Sequence, residues 1–139
     1  MAYCSQDDLL TMIPAAELAE LTTESGDTPD AAVVAEAIDK AASEIDAYLA
    51  LRYDLPLAAT PPQVKNLAVD LALYHLYSRR SVAPAVRQKK YEAAVAFLKE
   101  VAAGLVLVEG AGEPSGDTRQ VGGFSGDRRV LRRDGLSDW

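Results

Sequence analysis

One cysteine, Cys4, and one histidine, His75, leave this chain unable to form an intramolecular disulfide or a Cys/His zinc site. Cys4 reads as a small free thiol beside a frayed terminus. Aromatic residues make up only 6%, which disfavours an aromatic-rich β-sandwich, and abundant alanine favours helices packed through small side chains. No apolar run reaches the roughly 18 residues that a membrane-spanning helix needs. Met1-Ala2-Tyr3-Cys4-Ser5 lacks the basic start and apolar middle of a signal peptide, so the expected setting is a reducing cytoplasm. No internal repeat is present. What remains is 139 residues, one domain's worth, enough to bury a core without metals or cross-links.

Charge is distributed unevenly. Residues 1 to 56 carry 12 acidic and 2 basic side chains, residues 57 to 109 carry 4 and 7, and residues 110 to 139 carry 5 of each. An acidic half facing a mildly basic half suits head-to-tail contact between copies and suits tight bulk binding of DNA poorly.

Hydrophobic spacing predicts a small all-α bundle. Ser5, three residues before Asp8, starts a short helix from about Gln6 to Met12. Pro14 opens a second, with Leu18 and Leu21 on one face and Glu17 and Glu20 on the other. After a polar loop, Thr28 as N-cap and Pro29 at the first helical position begin a long central helix. Val34, Ile38, Ala41, Ile45, Tyr48, Leu49 and Arg52 mark its stripe, with Glu36 and Lys40 paired outside. Asp54-Leu55-Pro56-Leu57 must leave it. Thr60 caps the next helix, which runs to about Arg79, and Pro84 opens a last one in which Val86, Tyr91, Ala94, Val95, Leu98 and Val101 face inward. Gly104 ends that helix. Leu105 to Glu109 is a brief strand or an extended docking arm. Residues 110 to 126 hold 6 of the 9 glycines, a linker composition. The expected organisation is a helical body over residues 1–109, then a Gly-rich linker and extended docking arm over 110–139. In the arm, Phe124, Val130, Leu131, Leu136 and Trp139 alternate with Arg128, Arg129, Arg132 and Arg133, a pattern of apolar and arginine anchors for a partner.

The apparent chemical motifs dissolve on inspection. His75 has no evident Ser-His-Asp or Cys-His set around it and reads as a helix-surface or interface histidine. Thr22 to Asp30 lacks the alternating ligands and closing glutamate of a calcium loop. Gly110 to Thr118 has the wrong glycine spacing for a phosphate loop, and Asp117 stands where the lysine should be. Glu44 and Asp46, two apart, point to different faces of a helix, so they are no catalytic pair. Arg79-Arg80, Lys89-Lys90 and Arg87 could touch phosphates or be solvated faces. No enzyme, cofactor or metal site is expected.

Several stretches resemble a known family in order along the chain. They are Ser5-Gln6-Asp7-Asp8-Leu9-Leu10, Glu20-Leu21-Thr22, Ser43 to Leu49 leading into Arg52-Tyr53-Asp54-Leu55-Pro56-Leu57, Leu67 to Tyr77, Tyr91-Glu92-Ala93-Ala94, and Arg132-Arg133-Asp134-Gly135-Leu136. Together they are similar to the Mu-like phage and prophage head-tail connector family. The resemblance implies a head-completion or adaptor subunit in the virion neck, assembled in the host cytoplasm into a ring of twelve beneath the portal. It implies portal, neck or tail proteins and further copies as partners, genome DNA passing without sequence-specific binding, and no membrane. The arm anchors would then meet the portal or a neighbour, and Tyr48, Arg52, Tyr53 and Asp54 would pack the subunit or its interface. A tail terminator or joining protein and a small DNA-binding regulator are the alternatives.

Overall fold

The structure is a computed structural model that describes residues 2–24, 26–80 and 83–112. Five helices follow in order: α1 (Gln6–Leu10), α2 (Ala15–Thr22), α3 (Ala31–Leu49), α4 (Pro62–Arg79) and α5 (Ala85–Ala102). The described residues contain no strand, so the all-α expectation holds and the strand option for Leu105 to Glu109 does not. The arm beyond Gly112 lies outside the described residues.

Helix boundaries follow local hydrogen-bonding chemistry. At α1, Ser5 Oγ accepts from Asp8 N–H while the Asp8 carboxylate accepts from Ser5 N–H at 2.8 Å, a complete capping box. The helix stops at Leu10, earlier than the predicted Met12, because Thr11 takes the C-cap and turns its hydroxyl onto the Asp8 carbonyl. Pro14, Pro61 and Pro84 serve as extended N-caps, one position before the helical start assigned to Pro14 and Pro84 and displacing Thr60 as cap. The α3 cap is Asp30, not Thr28. Its Oδ1 accepts from Ala32 and Val33 N–H, and its own N–H donates to Thr22 Oγ1 at 2.9 Å, which ties the end of α2 to the start of α3. The α3 helix ends at Leu49 and does not include Arg52, since Leu51 and Arg52 turn back onto Tyr48 and Leu49 in tighter three-residue bonds. The Leu55-Pro56 bond that follows is cis.

At its far end α5 closes as read from the sequence. Gly104 has φ +83, its N–H donates to Val101 O, and Leu105 N–H reaches Glu100 O at 2.9 Å, which is the Schellman arrangement.

The core is α3, α4 and α5 packed on one another, with α1 against α3 and α4 and α2 against α4. At 19 residues α3 is the longest described helix, whereas α4 is the most enclosed. Leu71, Ala72 and Leu73 are buried in succession, as expected of a helix covered on more than one face. From α5 only Ala94, Leu98 and Val101 are buried. Val86, predicted to face inward, is 59% exposed, because the buried stripe of Ala94, Leu98 and Val101 runs back into the first turn through Arg87, which lies over the Tyr77 ring, and Val86 stands about 100° away round the helix. The N-terminus is docked rather than frayed. Tyr3 and Cys4 belong to the core, the Tyr3 hydroxyl donates to Asp46 Oδ1, and burial pushes the Cys4 thiol up to about 11.

The α1 cap gives a pH-dependent expectation. Hydrogen bonding from the Ser5 backbone, aided by Lys65 at 3.2 Å, holds the Asp8 carboxyl below the usual carboxylate range. A depressed folded pKa adds stability that is present above the unfolded value and disappears as pH falls through the folded one. Asp8→Asn should therefore melt below the wild type at pH 7, with the two melting curves converging in strong acid. A gap of equal size throughout the acid titration would refute this role for the carboxylate.

Candidate functional site

The residues singled out at the end of α3 come together with the segment after α5. Tyr53 is buried, and its hydroxyl accepts from Val108 N–H at 2.9 Å across 55 residues of sequence. Arg52 lies over Gly104, where an added Cβ would stand 3.0 Å from Nη1 and 3.2 Å from Cζ. A side chain at residue 104 would thus be resisted both by the positive φ and by the guanidinium. The Arg52 Nε is buried without a hydrogen-bond partner among the described residues, and the glycine turn forms its bed. Asp54 is exposed and Tyr48 half-buried. The arm residues Phe124, Arg128, Arg129, Val130, Leu131, Arg132, Arg133, Leu136 and Trp139 lie outside the described residues.

A second cluster was not foreseen. Glu44 of α3 binds His75 Nε2 of α4 through Oε1 and accepts from the Tyr91 hydroxyl of α5 at 2.9 Å through Oε2. Tyr74 stacks on Tyr91 with centroids 4.0 Å apart, and His75 meets both rings edge-on. Burial first, then the bond to Glu44, pushes the Tyr91 phenol up to about 12. One carboxylate thus joins the three core helices. Helical spacing rightly kept Glu44 from pairing with Asp46, but a contact across 31 or 47 residues leaves no local signal. Beside this cluster, Val33, Glu36, Lys40, His75, Ser78 and Arg79 line an open groove of about 340 Å³ between α3 and α4.

The arginine doublet considered for phosphate contact is engaged within the fold. Arg79 Nη1 donates to Leu21 O at 3.1 Å, and Arg80 Nη2 donates to Glu20 O at 2.7 Å and to Thr23 O. These are carbonyls at the C-terminal end of α2, which a cation satisfies both by hydrogen bonding and by opposing the helix dipole. Nearby the Tyr77 hydroxyl donates to Glu17, and Arg87 sits 5.9 Å above the Tyr77 ring. Among the described residues no group of three His, Cys, Asp or Glu side chains could hold a metal ion, and no helix is long and apolar enough to cross a membrane.

These features define a small all-α domain in which the partly buried polar side chains chiefly tie helices to one another. The sequence model of the family described as Bacteriophage Mu, Gp36 matches residues 3–123, so the chain belongs to that family. It is also 36% identical over 77 residues to the Mu-like prophage FluMu protein gp36 of Haemophilus influenzae, an alignment covering 55% of this chain and 53% of the relative. The chain thus spans about half the length of the curated relative it matches. The Mu-like phage resemblance drawn from the motifs holds at the level of the family.

Proposed function

We propose that this chain is a structural or assembly protein of a phage particle and, within that class, a head-tail connector subunit. In this reading copies form a ring beneath the portal, of twelve by family resemblance, which completes the filled head, extends the DNA channel and offers the tail its platform in the virion neck. The carrying observation is the division of charge over the helices of a Mu-family chain. Exposed Glu20, Asp30, Glu36 and Asp39 outnumber exposed Lys40 on α2, α3 and the cap between them, whereas exposed Lys89, Lys90 and Lys99 outnumber exposed Glu92 and Glu100 on α5. Unlike faces on one subunit favour a closed head-to-tail ring, in which each copy meets its two neighbours differently. Engagement of Arg79 and Arg80 with α2 weighs against the DNA-binding regulator, since it leaves fewer free cations for phosphates.

The arm would supply portal contacts, its arginines meeting acidic side chains and its apolar residues filling pockets, with many arms acting together. The test is deletion of the gene from an inducible Mu-like prophage, followed by electron microscopy of the lysate. DNA-filled heads and finished tails should accumulate unjoined. The full chain should restore joining in trans, and a chain lacking residues 120–139 should not. Tails of irregular length would instead indicate the terminator reading, and normal particles would sink the proposal.

A further inference from the structure

Exposed large apolar side chains gather where the chain leaves the bundle. Leu105 is 76% exposed and Leu107 62%, while Leu51, next to the Arg52 that lies on Gly104, is 43% exposed. Val106 and Val108 face the core between them. The strip is held in place by three hydrogen bonds from its own backbone N–H groups: Leu105 N–H to Glu100 O, Val108 N–H to the Tyr53 hydroxyl, and Ala111 N–H to Val108 O. Its two leucines are thus presented outward by a pinned backbone, and exposed Glu100 and Glu109 flank them.

We infer that this strip is the resting dock of the chain's own C-terminal segment, residues 124–136, in the free subunit. Chemistry and connectivity agree on that occupant. Arg128-Arg129-Val130-Leu131-Arg132-Arg133 offers two apolar side chains between pairs of arginines, the complement of leucines flanked by glutamates. Phe124 follows Gly112 by twelve residues, a tether that extends at most about 40 Å, so the segment can return to a strip lying just before the tether begins. Such a tether gives an effective concentration on the order of millimolar, enough for a weak site to be filled within one chain. The dock would cover the leucines until a partner takes the arm. The inference extends the arm assignment above, but its test needs only the isolated chain and is independent of the portal.

Limited trypsin digestion of the full chain at Arg128, Arg129, Arg132 and Arg133 decides it. Leu105→Ser combined with Leu107→Ser, which removes the apolar contact without adding charge, should speed cleavage there by about tenfold over the wild type, as expected for release of a tethered weak contact. Circular dichroism should show unchanged helix content, and Leu105→Asn combined with Leu107→Asn serves if the serine pair fails to fold. Protection in the wild type should persist on dilution. Equal cleavage of wild type and variant would overturn the inference. Protection lost on dilution would also overturn it, by assigning the dock to the tail of a second copy.

Discussion

Ile45→Ala should lower the free energy of unfolding by about 3 kcal/mol, read in urea denaturation as a shifted midpoint with an unchanged slope. Ile45 is fully buried on α3 and belongs to the core that α3, α4 and α5 build together. Removing its three outer carbons forfeits their transfer from water and leaves a void that the packed leucines around it cannot fully close. For a domain of this size the melting temperature should fall by roughly 10 °C. Ser43→Ala, two residues away on the exposed side, should change stability by less than about 0.5 kcal/mol. A loss below about 1 kcal/mol for Ile45→Ala would mean that the three-helix core is looser than described.

Glu44→Ala should destabilise by about 2 kcal/mol, since it leaves two partly enclosed groups, the Tyr91 hydroxyl and His75 Nε2, without their shared acceptor. Glu44→Gln, which keeps an acceptor but not the charge, should fall between. A double-mutant cycle with Tyr91→Phe should return a coupling well above that of a surface pair, because the two residues share one hydrogen bond. The same variant has a spectroscopic signature. Burial and Glu44 raise the Tyr91 phenol from its ordinary value of 10.0 to about 12, and Glu44→Ala should bring its ultraviolet titration down. With a raised folded pKa, the stabilisation is complete below pH 10 and is lost as pH climbs toward 12. The stability gap between wild type and Glu44→Ala should thus narrow as pH climbs from 10 toward 12. Independent, additive effects of Glu44→Ala and Tyr91→Phe would show that the cluster is not a joint.

Much of the body was legible because its signals are local. The order of two short and three longer helices follows from apolar spacing and proline, and the capping box at Ser5 and Asp8 lies within one turn. Boundaries slipped where two cap chemistries competed. Thr28 and Asp30 both stand before α3, and Asp30 prevails because it accepts from two backbone N–H groups while anchoring its own N–H to Thr22. Val86 shows a different failure, a residue assigned to the inward stripe of α5 whose place on that face is taken by the neighbouring Arg87, which turns onto Tyr77.

By itself, then, the sequence determined the all-α class, the helices and their inward stripes, the glycine stop at Gly104 and the Mu-like family. Each depends on residues a few positions apart, or on short motifs in order. Only the tertiary structure decided that Glu44 meets His75 and Tyr91, that Arg79 and Arg80 close the end of α2, and that Tyr53 holds Val108 beneath two exposed leucines. Those partners lie 31 to 60 residues apart, and what brings them within hydrogen-bond reach is how the helices pack against one another, which no local periodicity encodes.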